Sequence, residues 1–179
     1  MFYPKEFTMQ PIEVSPIPPG FRSVTPYIMV EGVAALLDFL QKAFNAQVNR
    51  QYPGPDGAVG HAEVRVDDSV IMIGDPAGRH KPMPAALYLY VTNVDTVYKQ
   101  ALDAGATSIS EPANEFYGDR VAAVEDKWGN AWWLATHVED VSEEELQRRS
   151  QSKLDAGAAG TNDAGIPGQD RGVAPGVTG

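Results

Sequence analysis

The chain contains no cysteine. A disulfide framework, a thiolate metal site and a thiol nucleophile are thereby excluded. No apolar run reaches about 18 residues, so no segment reads as a membrane-spanning helix. Basic residues are few: 14 Lys and Arg stand against 24 Asp and Glu, a net charge of −10. Phosphate backbones are gripped by clustered Lys and Arg, so nucleic acid is not an expected partner. The opening MFYPKEFTMQP lacks the apolar core of a secretory signal. A cytoplasmic protein without a membrane partner is the expectation.

What is present is repetition. Val33, Leu36, Leu37 and Leu40 form an apolar helical stripe, and Val94, Val97, Tyr98 and Ala101 repeat it 61 positions later. A strand precedes each helix and hairpin-like strands follow it. The spacing divides the chain into a Pro-rich arm (1–20), a βαβββ module (21–75), a linker (76–85), a second module (86–141), a charged helix (142–154) and a Gly/Ala-rich tail (155–179). The arm and tail are expected to be flexible, since neither carries an apolar period. The fold class is α+β, with two tandem modules forming a curved mixed sheet around a cleft. Asn45, Asn93 and Gly105 are placed to cap the two helices. Ser142 and Glu145 open the third as a capping box.

Alternation sorts the side chains. The tight turn at Asp67–Asp68 pairs Glu63 with Met72 and His61 with Gly74. Ala62, Val64, Val66, Ile71 and Ile73 then cover a helix. The opposite face of the two modules collects Thr25, Tyr27, Met29, His61, Glu63, Arg65, Met72, Tyr88, Tyr90 and Trp133. Aromatic walls with a few polar groups describe a small-molecule pocket. Arg120 is ambiguous, because the DKWGN loop at 126–130 can be counted two ways. It either binds an anionic group at the cleft mouth or pairs with Asp119 or Glu125.

The segments PYIMVEGVAALLDFLQKAFNA (26–46), HAEVRVDDSVIMIGD (61–75), LYVTNVDTVYKQALDAGA (89–106) and YGDRVAAVEDKWGNAWWLATHVEDV (117–141) carry a resemblance by their order and spacing. Together they are similar to the vicinal oxygen chelate superfamily. Its members include glyoxalase I, extradiol dioxygenases, and the bleomycin and fosfomycin resistance proteins; the PhnB-like subgroup is the nearest in flavour. The resemblance implies paired βαβββ modules around a U-shaped cleft, and a homodimer. It also implies four metal positions, which fall at Thr25, Met72, Ala86 and Trp133. None is a normal ligand for a divalent ion, and the Met72 thioether is too soft for Mg²⁺, Mn²⁺ or Zn²⁺ chemistry.

Two small-molecule readings follow, beside a third in which the sheet face has a purely structural or partner-binding role. In the first, the cleft binds a small organic molecule, aromatic or cationic, with no cofactor. Sequestration of an antibiotic-like compound is its concrete form. In the second, the chain is an enzyme of the superfamily's type, a lyase or isomerase or a dioxygenase-like protein. It would then use Glu63 as a general base, or a relocated divalent metal on His61, Glu63 and His137. The metal is the disfavoured version.

Overall fold

The computed structural model describes residues 14–55, 57–76 and 80–159, with side chains as far as Asp155. The first part of the expected arm and the tail beyond residue 159 lie outside the described residues. The elements run β1 (Tyr27–Met29), α1 (Val33–Phe44), β2 (Gln47–Pro53), β3 (Val59–Val66), β4 (Ser69–Gly74), β5 (Ala86–Tyr90), α2 (Val94–Asp103), β6 (Thr107–Asn114), β7 (Asp119–Glu125), β8 (Ala131–His137) and α3 (Glu143–Ala159). Each module forms its own four-stranded sheet, in the orders β1-β4-β3-β2 and β5-β8-β7-β6. In both, the first strand pairs parallel to the last and the other pairs are antiparallel.

Local chemistry sets the element ends. Asn45 closes α1 in the left-handed conformation (φ 53°), which its short polar side chain tolerates. The Asn93 side chain accepts from Thr96 N at 2.9 Å and opens α2. The pattern RSVTPYIMV reads as a strand over 22–30, but β1 is shorter: it begins after Pro26, which has no N–H for the ladder. Val24, which alternation puts on the helix side with Ile28 and Val30, therefore lies outside the sheet and is 85% exposed. Helix α3 continues to Ala159, past the expected end at 154.

One hydrophobic core serves both modules. It joins Ile28, Leu36, Leu40, Val64 and Ile73 to Val94, Ala101, Val124, Trp132 and Leu134. Helices α1 and α2 pack on each other. The Phe44 ring at the end of α1 meets Trp132 of β8, centroids 4.9 Å apart. The covered faces of both sheets thus turn toward a shared interior, and their open faces turn away from it.

Buried Asp126 holds the second module's hairpin. Its Oδ1 accepts from Trp128 N (2.9 Å) and Asn130 N (3.0 Å). Its Oδ2 accepts from Asn130 Nδ2 and from Trp132 Nε1, each at 2.9 Å. Asn130 Oδ1 in turn accepts from Ala85 N at 3.0 Å, tying the linker to the turn. Trp128 Nε1 donates to Glu31 O (2.8 Å) in the other module. Asp126→Ala strands these buried donors, so we expect a loss of about 3–5 kcal/mol in urea denaturation. Asp126→Asn, which keeps an acceptor, should lose less. A loss under about 1 kcal/mol for the alanine variant would mean that water replaces the carboxylate.

Candidate functional site

The open face of the first module is built on β1, β3 and β4. Glu63 pairs with Met72, and Met72 with Tyr27, as alternation predicts. The Tyr27 ring lies over Gly74, where a Cβ would collide with its phenol. Glycine there lets Tyr27 stack on His61, with centroids 5.8 Å apart and Oη 3.4 Å from Nδ1. Tyr52 of β2 flanks the other side of His61 at 5.9 Å. The Glu63 side chain is only 13% exposed, and its nearest cation is Arg50, at 3.9 Å. Thr25, Glu63, Met72 and Arg50 share a cavity of about 370 Å³ with Pro16 and Ile17 of the arm and with Phe21. Thr25 precedes β1 rather than lying in it, and its hydroxyl donates to Arg22 O at 2.9 Å. Met29 closes the strand, bridged to Met83 of the linker.

The open face of the second module carries Tyr88 and Tyr90, 47% and 60% exposed, with rings 5.3 Å apart. Trp133 pairs with Tyr88 beside them. At the end of β8, His137 Nδ1 meets buried Asp119 at 2.7 Å and Nε2 meets exposed Asp140 at 3.0 Å. Tyr90 donates to the other oxygen of Asp119 at 3.0 Å. Burial, then the neighbouring Tyr117 hydroxyl, raises the Tyr88 phenol well above its ordinary value. Asp119, which the sequence offers only as a partner for Arg120, and Tyr52 and Tyr117 are site residues that alternation does not reveal. The β7–β8 register exposes the first of them, for it sets Asp119 opposite His137.

Three expectations need correction. Arg120 points to the helix side, pairs with Thr136 in the ladder and clamps Asp95 of α2 with two hydrogen bonds of 2.8 and 2.6 Å. It therefore serves neither the cleft mouth nor Asp119 or Glu125. Glu63 and Arg65 stand two apart on one strand face, which offers an ion pair in the sequence, but the pair does not form: the Arg65 guanidinium engages Gln47 Oε1 and the carbonyl of Asp67. The alternative metal set is not assembled within the chain, because His61 and Glu63 stand on one sheet and His137 on the other. Among the described residues no group of three or more His, Asp or Glu side chains is arranged to hold a metal ion.

The four family positions do not fit a divalent ion either. Ala86 has no donor, Trp133 offers only an N–H, and Met72 contributes a thioether.

A sequence model of the glyoxalase/bleomycin resistance protein/dioxygenase superfamily matches residues 21–134. The chain belongs to this superfamily. An uncharacterised protein of Mycobacterium bovis is 33% identical over 144 residues, spanning 74% of this chain and 95% of its own. Its Mycobacterium tuberculosis counterpart has the same identity and covers 85% of its own length. Among solved structures, TioX from Micromonospora sp. ML1 superposes with a TM-score of 0.57 at 17% identity, over 64% of this chain and 98% of that one. A PhnB protein from Bacillus cereus gives 0.53 at 19%, over 64% and 99%. At these identities the likeness shows the fold: tandem βαβββ modules of the glyoxalase type.

Hydrogen bonds to Asp140 and then to Asp119 raise the pKa of His137 above its ordinary 6.5. The sign follows: this contribution to stability is complete below about pH 6.5 and is lost as pH rises through the raised folded-state value. The denaturation midpoint of the native chain should therefore fall over that window relative to His137→Gln. A constant difference between the two across the window would refute the assignment.

Proposed function

We propose that the chain is a small-molecule-binding member of the superfamily and works as a homodimer. The observation that carries this is the outward turn of both aromatic faces. The cavity at Thr25, Glu63 and Met72 takes no wall from the second module. Tyr88 and Tyr90 stand open on the second module's face, and the Tyr27–His61 stack lies on the other sheet. Each face is half of a cleft. A second copy related by two-fold symmetry supplies the missing half to both, because residue i of one copy then meets j of the other and the reverse. The guest is a flat organic molecule held between Tyr27 and His61 on one side and Tyr88, Tyr90 and Trp133 on the other. Aromatic panels of this kind bind through area and stacking, and their faces attract a cation. Sequestration of an antibiotic-like compound in the cytoplasm fits such a site and needs no metal.

A complementation experiment tests this. Tyr27→Ala and Tyr88→Ala should each weaken binding of ethidium or bleomycin, read by fluorescence, while sedimentation still reports a dimer. Mixing the two variants and allowing exchange should restore about a quarter of the clefts, since half of the dimers are mixed and each holds one intact cleft. A mixture that binds no better than the average of its parents overturns the two-copy cleft. Absence of binding by the native chain below about 1 mM overturns the binding function.

The shielded position of Glu63 favours a second reading, a lyase or isomerase with Glu63 as general base. Glu63→Gln should then abolish proton exchange into a bound carbonyl substrate without changing the melting temperature. Unchanged exchange removes this reading.

A further inference from the structure

The seam between the modules holds a second cavity, apart from the one at Thr25, Glu63 and Met72, and Tyr90 at the edge of the second open face lines it. It measures about 420 Å³ and lies where the end of α1 and the β3–β4 turn meet the end of β5. Phe44, Val66, Leu89 and Val97 give it an apolar floor. Arg65 stands in its wall, with Asn45, Gln47 and Thr92 around the rim. Its volume falls in the range of cavities that take small organic ligands.

The electrostatics of Arg65 single it out. Arg22, Arg50, Arg120, Arg148 and Arg149 each lie within 4.0 Å of a carboxylate. Among the described residues, Arg65 is the arginine that has none. It is held instead by two neutral acceptors, Gln47 Oε1 and the Asp67 carbonyl. Gln47 is its cross-strand partner, so the sheet itself aims the group. A guanidinium has five N–H donors, which leaves about three to meet a guest. The acidic residue at the rim, Asp67, is exposed on the left-handed turn (φ 48°) and gives Arg65 its carbonyl, not its carboxylate. In a chain of net charge −10, an arginine held by neutral acceptors above an apolar floor is placed to meet an anionic guest.

We propose that this seam cavity binds a small organic carboxylate, with its apolar body on Phe44, Leu89 and Val97 and its carboxylate on Arg65. A carboxylate accepts two parallel N–H bonds from a guanidinium, and charge-assisted bonds of this kind are about twice as strong as neutral ones. The site lies within one copy, so dimerisation is not required for it, and Tyr90 is the residue it shares with the two-copy cleft.

Benzoate and benzamide test the proposal, since they share a shape and differ in charge. Each is titrated into the full chain and followed by amide NMR shifts. Benzoate should move the amides of residues 44–47, 65–67 and 89–92 and bind about tenfold or more tighter than benzamide. Arg65→Gln should bring the two affinities together. Thr92→Trp, an exposed rim substitution, should weaken both by filling the cavity. Equal affinities for the native chain, shifts confined to other residues, or no response at about 10 mM benzoate would each overturn it. The comparison on the native chain decides the question even if the arginine variant does not fold.

Discussion

Trp132 is the residue on which the two halves of the molecule meet. Its ring is fully buried, faces Phe44 of the first module and spends its N–H on Asp126. A buried indole needs an acceptor, and a buried carboxylate needs donors, so each settles the other's demand. The same carboxylate orders the 126–130 turn, and Asn130 carries the order on to the linker at Ala85. This arrangement fixes how the modules face: their covered sides share the core, and their open sides are left for other work.

Period-two alternation then decides which chemistry reaches the open sides. In β3 it sends Ala62, Val64 and Val66 inward and His61, Glu63 and Arg65 outward. In β8 it sends Trp132 and Leu134 inward and leaves Trp133 and His137 facing out. The outward residues do not act as one set. His61 is taken into an aromatic stack with Tyr27 and Tyr52, Glu63 lies near Arg50, and Arg65 turns to the seam. Sharing a face places side chains in the same half-space; strand ends and neighbours select their partners.

Much of this was legible in the residues alone. The β3–β4 register, the caps at Asn45 and Asn93 and the facing of Trp132 all follow from local rules with a range of a few residues. Arg120 was not legible, because its facing depends on how many residues the Asp126 turn absorbs, and that number is set by the carboxylate's hydrogen bonds. The orientation of the two faces was hidden for a different reason. An apolar stripe tells a helix to bury itself but not against which neighbour, so the packing of α1 on α2 had no local signature. Tyr52 was masked by the Pro-Gly turn that follows it, which obscures the β2–β3 pairing with His61.

Helix α3 is fastened quite differently from α1 and α2. Arg149 bridges Glu139 and Glu145, Lys153 reaches Glu115 and the Phe116 ring, and Leu146 lines a cavity with Phe116 and Tyr117. Its partners are mostly charges at the surface, which salt screens over about 10 Å at 0.1 M. The molecule therefore has two kinds of cohesion that answer to different solvents. The shared interior responds to temperature and denaturant, while the C-terminal helix responds to ionic strength. A brackish cell and a dilute one would hold the same core but wear this last helix more loosely or more tightly.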